Sequence, residues 1–397
     1  MDEYIDPKRV MREVSVEKLC ETADGYFRGV SDFIPLWSKP LHAVDESSYV
    51  LFAVAQLLSG LRLERGMHVL DFGAGSCWLS RMFNQLGCSS VSVDCSKTAL
   101  DIGRQLFEQL PVLGGSIRPP QFLPFDGRRI DLPSESVDRI VCCASFHHVP
   151  NPAEVLREFH RVLRCGGIAA FAEPGPTHSR SSDSQSVMRE FNVLENDIVV
   201  DDIWLLAQAA GFTEINLKLA ADPAFDITLD DYRQLLESGK LSDAATRTVA
   251  KAQESATVFF LVKGDSMPDS RNGDGLACKI TANPMRIDTK VGTTVDLTLN
   301  LHNTGKAKWL HSSVGDVGVV LAGIHLYLDG ELVDFDFAHG HLRHTVLPGS
   351  AVEICVRLPF TRPGRFELVI DMVAHQVGWF EHLGSSPPLR MEAAVSE

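Results

Sequence analysis

The stretch HVLDFGAGSCWLS, from His68 to Ser80, contains the pattern that decides the fold. A short apolar run includes an acid, Asp71, and is followed by a Gly-x-Gly loop and the start of a helix. This order is typical of a parallel strand that passes into a nucleotide-binding loop. A dinucleotide fingerprint needs a third glycine where this sequence has Trp78, so the loop is poorly suited to a pyrophosphate.

Two more acids follow strand-like runs at informative positions. Asp94 ends the second predicted strand, 19 residues after Gly75 (94 − 75). An acid at this place can accept hydrogen bonds from ribose hydroxyls. Asp126 follows the third predicted strand. The three acids therefore predict a nucleoside-binding edge on an α/β sheet.

Residues 67–263 alternate strand-like runs with helix-like segments, which predicts a doubly wound, Rossmann-like parallel sheet. The strand candidates are MHVLDF, SVSVD, FLPF, VDRIVCCA, IAAFAE, EINLKLA and ATVFFLVK. After them the chain changes to short β-rich runs broken by Asp-Gly, Pro-Gly and Asn-Thr-Gly turns, which predicts an antiparallel β-sandwich. The predicted parts are an N-terminal helical cap over the carboxyl edge of the sheet (1–62), the α/β domain (63–265), a linker (266–276) and the sandwich (277–397).

Composition narrows the partners and the location. The formal net charge of -15, without a block of Lys or Arg, argues against nucleic acid and against an anionic membrane surface. Nine scattered cysteines without a CxxC pair, and an N-terminus without an apolar signal region, predict a reducing, cytoplasmic location. No apolar run approaches 18 residues, so no transmembrane helix is expected.

Residues 45–220 resemble class I S-adenosylmethionine-dependent methyltransferases. The likeness rests on VLDFGAGSCWLSRMFNQLGCSSVSVDCS and on DRIVCCASFHHVPNPAEVLREFHRVLRCGGIAAFAEPG, which stand in the family's order and spacing. The resemblance implies S-adenosylmethionine as the cofactor. It implies a place beside the methionine part for Asp71, Gly73 and Gly75. It further implies that Asp94 binds the ribose, that Asp126 binds the adenine amino group, and that Ala144 lies nearby.

A hydroxyl acceptor would need a general base, and the candidates follow the fourth and fifth predicted strands. His147 and His178 are the leading candidates and Glu173 is the third, while Glu195 could fold back toward the site. Packing or helix orientation is an alternative role for the pair His147 and His148. A metal site from these histidines and Glu173 is conceivable, but no compact ligand motif supports it, and the sequence predicts none.

The C-terminal segment resembles the immunoglobulin-like sandwich attached to bacterial surface-polysaccharide enzymes. The matching positions are Asn303, Gly305, Trp309, Pro348, Gly349, Trp379, Phe380, Gly384 and Ser385. Trp309 and Trp379 are either platforms for sugar rings or core aromatics. The histidines of HGHLRH (His339, His341 and His344) fit either a metal site or a solvated strand face.

These patterns predict an S-adenosylmethionine-dependent O-methyltransferase that acts on a saccharide or lipid-linked glycan of bacterial surface-polysaccharide biosynthesis. One alternative is a methyltransferase for a small metabolite, with the sandwich used for dimerisation. Another is a non-catalytic glycan-binding scaffold. Homo-oligomerisation and a peripheral contact with a lipid-linked acceptor are left open.

Overall fold

The computed structural model describes residues 4–114, 118–219, 225–265, 267–385 and 387–397. Ser266, the first residue of the predicted linker, and Ala220, the last of the sixth predicted strand, lie outside the described residues. The chain divides into two compact units, Met1–Ser266 and Met267–Glu397. The finer division into four parts stays a prediction.

The first unit is built around a seven-stranded sheet in the order β3-β2-β1-β4-β5-β7-β6. Its strands are β1 (His68–Phe72), β2 (Ser89–Asp94), β3 (Gln121–Pro124), β4 (Val137–Cys143), β5 (Leu163–Pro174), β6 (Glu214–Lys218) and β7 (Ala256–Val262). Strands β1 to β5 pair in parallel. The predicted Rossmann-like α/β fold is confirmed, because parallel strands in this order bring their carboxyl ends to one edge.

The sheet is mixed, whereas the sequence predicted a parallel one. Strand β7 lies between β5 and β6 and runs antiparallel to both. The chain leaves β6 at the carboxyl edge of the sheet and enters β7 at that same edge. It therefore never crosses the sheet between these strands, and only an antiparallel pairing results.

Helices precede the sheet and alternate with its strands. They are α1 (Pro7–Glu13), α2 (Val16–Arg28), α3 (Ile34–Trp37), α4 (Val44–Leu61), α5 (Trp78–Gln85), α6 (Lys97–Gln109), α7 (Pro152–Val162), α8 (Ser182–Phe191), α9 (Val200–Ala210), α10 (Leu229–Ser238) and α11 (Asp243–Ser255). Helix α7 shows the local rule. Proline stands in its first turn, where no amide donor is needed, and Val155, Phe159 and Val162 are buried at helical spacing. None of the described helices has the length and apolar character that a membrane span requires.

The second unit consists of two mostly antiparallel sheets. Its strands are β8 (Cys278–Asn283), β9 (Arg286–Lys290), β10 (Thr294–Asn303), β11 (Val320–Leu328), β12 (Glu331–His341), β13 (Ala351–Pro359), β14 (Gly364–Ala374), β15 (Gly378–Trp379) and β16 (Leu389–Ser396). One sheet has the order β13-β10-β8 and the other β12-β11-β14-β16-β9. Burial alternates along β13, and both sheets contribute to one apolar core. The predicted β-sandwich is confirmed.

The two tryptophans of the sandwich have different environments. Trp309 is fully buried and meets Phe380 edge to face, with 5.8 Å between ring centroids. It is a core residue, so a platform role for Trp309 is wrong. Trp379 is half-buried and covers Gly323, where an added Cβ would lie 2.4 Å from its ring. Because the neighbours of Gly323 along β11 point into the core, Trp379 lies on the outer face of the sheet.

Much of the predicted linker packs within the second unit. The hydroxyl of Ser270 is buried, donates to the carbonyl of Gly318 at 2.6 Å and accepts from the amide of Leu310 at 2.9 Å. Asp269 is also buried and pairs with Arg271 at 2.7 Å. A polar composition suggested a free connection, but Ser270 bonds to backbone groups of the second unit, and Asp269 pairs with its neighbour Arg271.

Replacing Trp309 by alanine should destabilise the sandwich by about 3–5 kcal/mol, because a large aromatic side chain leaves a cavity in the core. Urea unfolding followed by circular dichroism measures this change. Trp379→Ala is the matched control and should cost clearly less, since that ring is half-exposed. Equal unfolding midpoints for wild type and Trp309→Ala would contradict the assignment of Trp309 to the core.

Candidate functional site

A cavity of about 430 Å³ opens at the carboxyl ends of β1, β2 and β4. Of the residues predicted to bind the cofactor, Gly73, Gly75, Asp94 and Ala144 line it. This is the edge where open α/β sheets bind their ligands. The fold therefore brings together residues that are up to 71 positions apart in the chain (144 − 73).

One wall of the cavity comes from helix α2, as the predicted cap requires. The contributing side chains repeat at helical spacing and are Val16, Leu19, Cys20, Ala23, Tyr26 and Phe27. Their spacing puts them on one face of the helix. The cap thus covers the carboxyl edge of the sheet with a mainly apolar surface.

The loop after β1 is shaped by close packing and by Asp94. Gly73 has a φ of +66°, and a Cβ at this position would lie 2.4 Å from the Cβ of Ser145, so only glycine fits. The carboxylate of Asp94 accepts the amide of Gly75 at 2.8 Å and that of Ser96 at 2.7 Å. Asp94 therefore fixes the glycine loop against the end of β2.

Burial changes the protonation of the acids at this edge. It raises the pKa of Asp94 to about 6, although the bonds from the Gly75 and Ser96 amides oppose it. It raises the pKa of Asp71 to about 7, against the hydrogen bond from Ser80. The Asp71 carboxylate accepts the Ser80 hydroxyl at 2.7 Å, and among the described residues Asp71 is not part of the cavity lining. In this structure it holds α5 against β1.

Asp126 is exposed and caps a turn. One of its carboxylate oxygens accepts the amides of Arg128 at 2.8 Å and Arg129 at 2.7 Å. Its neighbours Phe125 and Gly127 line the cavity, whereas Asp126 is outside the lining formed by the described residues. Its predicted contact with adenine stays a prediction.

Glu173, at the end of β5, is a buried anchor for the loop that follows β4. Its carboxylate accepts backbone amides from Ser145 at 3.1 Å, Phe146 at 2.9 Å and His147 at 3.3 Å. Burial alone would raise the pKa of Glu173, but the bond and charge of His147 and these amides bring it below its usual value. Glu173 remains an anion that positions the loop.

His147 lies between two carboxylates. Its Nδ1 is 2.8 Å from Glu173 and its Nε2 is 3.5 Å from Glu195. Burial would lower the pKa of His147, but the hydrogen bonds to both carboxylates raise it to about 9. In the free protein His147 is therefore an imidazolium.

Glu195 folds back onto this cluster, as the sequence analysis considered. Its carboxylate is 2.7 Å from Nε2 of His178, which lies in a short 3-10 turn, and the hydroxyl of Ser184 is 3.3 Å from the same nitrogen. Burial opposes ionisation of Glu195, yet the bonds from His147 and His178 lower its pKa to about 2. The loop after β5 and the residues after α8 thus meet at one carboxylate.

His148 is the residue that the sequence analysis did not select. It lines the cavity, and its Nδ1 donates to the carbonyl of Leu194 at 2.6 Å. Burial and the charge of His147 lower its pKa to about 4, so His148 is neutral at pH 7. His147 and His148 are adjacent in sequence, and only the 3-10 turn from Phe146 to His148 decides which ring borders the cavity. No sequence signal separates them.

The cavity lining revises the ranking of the acceptor-side candidates. Within the described parts of the chain it includes His148 and Glu195 but not His147, His178 or Glu173. The three predicted candidates form the layer behind the wall. Their direct participation in catalysis stays a prediction, and their observed polar contacts are with one another, with Glu195 and Ser184, and with backbone amides of the turn after β4.

One group of described residues has the arrangement of a metal site. The ligating atoms of His147, His178 and Glu195 all lie within 4.8 Å of one another. In the sandwich, His339 instead pairs with Asp336 at 2.6 Å. The first group shares His147 and His178 with the metal site that the sequence made conceivable, but it contains Glu195 in place of His148 and Glu173.

Residues 70–171 match the family described as a methyltransferase domain. This match confirms the prediction of a methyltransferase domain. The matched segment contains the glycine loop, Asp94 and the pair His147 and His148.

The curated relatives cover the same region. A ubiquinone biosynthesis O-methyltransferase from Alkalilimnicola ehrlichii is 30% identical over 136 residues, which are 34% of this chain and 50% of that protein. The ubiquinone/menaquinone biosynthesis C-methyltransferase UbiE of Coxiella burnetii is 29% identical over 126 residues, 31% of this chain and 47% of that protein. The chain thus spans about half the length of these relatives.

Among solved structures, phosphoethanolamine N-methyltransferase 2 of Haemonchus contortus, in complex with phosphomonomethylethanolamine and S-adenosylhomocysteine, is 15% identical. The alignment covers 64% of this chain and 61% of that chain, with a TM-score of 0.44.

If Asp94 binds the ribose, affinity for S-adenosylmethionine should fall as the pH drops below about 6, because the protonated acid no longer accepts both hydroxyl protons. Between pH 7.5 and 5 we expect roughly a tenfold loss in calorimetry, the effect of one pH unit below the pKa. At pH 7.5 Asp94→Asn should bind 10 to 100 times more weakly than the wild type, the cost of about 1.5–3 kcal/mol for a charge-assisted bond, and this difference should narrow at pH 5, where the wild-type acid is itself largely protonated.

Asp101→Asn, on the exposed face of α6, is the control and should behave like the wild type. The charges of Asp71 and Asp24 also act on Asp94. Asp71→Asn therefore shows whether the loss of affinity at low pH comes from protonation of Asp71 rather than of Asp94. Unchanged affinity in a folded Asp94→Asn protein would reject the ribose role.

Proposed function

We propose that this protein is an S-adenosylmethionine-dependent methyltransferase that methylates a hydroxyl group. One observation carries the proposal. The glycine loop, Asp94, His148 and Glu195 all line a single cavity. A cofactor wall and a base thus face one enclosed space.

The cofactor wall suits a cation rather than a phosphate. The cofactor supplies an electrophilic methyl group on a sulfonium, and it carries no phosphate that Asp94 would repel. Gly73 and Gly75 both have positive φ angles, a conformation that glycine adopts readily, so the loop can turn tightly at the cavity wall. The carboxylate of Asp94 is held by the Gly75 and Ser96 amides, so it is fixed before the ligand arrives.

His148 is the base that the geometry supports best. Its Nδ1 proton is held by the Leu194 carbonyl, which leaves Nε2 as the nitrogen that can accept a proton. It borders the cavity, as a group that contacts the acceptor must. Glu173 and His147 support the turn on which His148 stands, so their part in the reaction is to position it.

The acceptor side of the cavity favours a small, largely apolar molecule with a hydroxyl group. The cavity lining includes the apolar side chains of Val187, Val193 and Leu194, and Leu194 also accepts the Nδ1 proton of His148 through its carbonyl. Such side chains bind apolar surface and leave few partners for the many hydroxyls of a sugar. The name of the Alkalilimnicola ehrlichii relative, an O-methyltransferase of ubiquinone biosynthesis, supports the same class.

A saccharide or lipid-linked glycan of bacterial surface-polysaccharide biosynthesis is the second candidate acceptor. It rests on the resemblance of the sandwich and on one observation. The outer face of the sandwich carries Trp379 beside His325, at 4.5 Å between centroids, and beside Phe335, at 5.8 Å. Phe335 is 56% exposed, and aromatic faces of this kind stack on sugar rings.

A non-catalytic scaffold is the third candidate function, and it predicts cofactor binding without turnover.

The proposed cytoplasmic location is supported by the cysteines, all nine of which are free. Assembly into a homo-oligomer, with the sandwich as the dimerisation unit, belongs to the small-metabolite proposal.

His148→Ala should retain cofactor affinity and lose roughly 10²–10⁴ in turnover, the contribution of a general base. The assay measures S-adenosylhomocysteine formed with phenolic acceptors. His382→Ala, an exposed position in the second unit, is the matched control. Wild-type turnover in His148→Ala would move the base to another residue, and absence of turnover in the wild type with every acceptor class would favour the scaffold.

The sandwich can be tested as a glycan-binding unit with the fragment Met1–Ser266. If the sandwich holds a glycan, the fragment should methylate long saccharides poorly and short ones almost normally, because only the local concentration of a long chain is lost. Phe335→Ala and Trp379→Ala in the full chain should reproduce this effect. Equal kinetics at every acceptor length would leave the small-metabolite proposal.

A further inference from the structure

We propose that His147, His178 and Glu195 form a binding site for a divalent transition metal ion of the zinc class. Two histidines and one carboxylate are a ligand set of catalytic zinc sites, which keep a further position open for water or substrate. The proposal for binding stands on these residues alone. The role given to the ion below rests on the proposed function.

The distances fit a site that needs only small adjustments. Nε2 of His147 is 3.5 Å from the Glu195 carboxylate, and Nε2 of His178 is 2.7 Å from the same oxygen. All three ligating atoms lie within 4.8 Å of one another. Ligand atoms about 2.0–2.1 Å from a tetrahedral zinc ion are about 3.3 Å apart from one another. Side-chain rotations that move the ligand atoms by about one bond length therefore bring them into place.

A carboxylate already orients the central histidine for binding. Nδ1 of His147 donates to Glu173 at 2.8 Å, which leaves Nε2 as the nitrogen directed at Glu195. Histidine ligands in metal sites commonly donate their second nitrogen to a carboxylate in this way. Glu173 is itself fixed by the amides of Ser145 and Phe146, so the arrangement does not depend on a flexible side chain.

The charges of the cluster favour a cation. Glu173 and Glu195 are both buried, with side chains 0% and 9% exposed. Two buried anions require positive charge nearby. A divalent ion bound to Nε2 of His147 would supply this charge between the two carboxylates.

The cluster is accessible from the side of His178. The side chain of His178 is 25% exposed, and the turn that carries it is held by Ser179. The amide of Ser179 donates to Asp197 at 2.7 Å and its hydroxyl to the same carboxylate at 3.1 Å. The turn therefore presents His178 at a fixed place while leaving a route for an ion.

The ion would act on the wall at the acceptor end of the cavity. Glu195 lines the cavity, whereas His147 and His178 lie behind its wall. An ion bound by all three side chains would connect the turn after β4, the turn of His178 and the segment after α8, and would thereby fix Glu195 beside His148.

Calorimetric titration of the EDTA-treated, dialysed full chain with ZnCl₂ tests the site. We expect one equivalent of Zn²⁺ to bind, and His178→Ala and Glu195→Gln to weaken it at least tenfold. His339→Ala, which removes a histidine paired with Asp336 in the second unit, is the control and should leave the titration unchanged. The proposal would be overturned if the wild type did not bind one equivalent of Zn²⁺, or if His178→Ala and Glu195→Gln bound Zn²⁺ with wild-type affinity.

Cobalt gives a second readout that does not depend on heat. Co²⁺ in the full chain should produce the visible absorption of a four- or five-coordinate ion, which His178→Ala should abolish. S-adenosylmethionine binding, measured on the same variants, confirms that they are folded. Loss of the metal signal with intact cofactor binding supports the metal site, while a wild type that binds the cofactor but neither metal rejects the site and leaves the proposed function standing.

Discussion

The buried carboxylate of Glu173 is the interaction on which the candidate site depends. It receives consecutive backbone amides from Ser145 to His147 and the side chain of His147 as well. A buried anion without such partners would be very costly, so these bonds and the carboxylate require one another. Together they hold the turn after β4 in one conformation. This turn packs Ser145 against Gly73, and it places His148 rather than His147 at the border of the cavity.

The same physical device recurs at Asp94. Its carboxylate accepts the amides of Gly75 and Ser96, so two buried or nearly buried acids at the ends of β2 and β5 organise the loops of the sheet edge. Both loops are then rigid enough to present backbone and side chains to a ligand without first becoming ordered. Helix α2 completes the enclosure with an apolar face. The site is therefore a set of fixed polar anchors under an apolar cover.

Features set by neighbouring residues were predictable from the sequence. Strand-helix alternation, the glycine loop and the spacing to Asp94 predicted the α/β fold, and the turn-rich C-terminal segment predicted the sandwich. Residues that look alike in sequence were harder to tell apart. Trp309 and Trp379 both stand in β-rich segments, yet one is in the core and the other lies over Gly323 on the outer face. Their difference depends on which face of a sheet each ring meets, and pairing register decides that.

The amino-acid sequence by itself determined the fold class, the two-part organisation and the glycine loop, because periodicity, glycine spacing and acids at strand ends are properties of neighbouring residues. Tertiary structure alone decided the acceptor side. Glu195 reaches His147 and His178 only after the chain has passed through α8, and the antiparallel place of β7 follows from the path of the chain between sheet edges. Contacts between residues far apart in sequence are set by packing and burial, and no local pattern records which partner a buried charge will find.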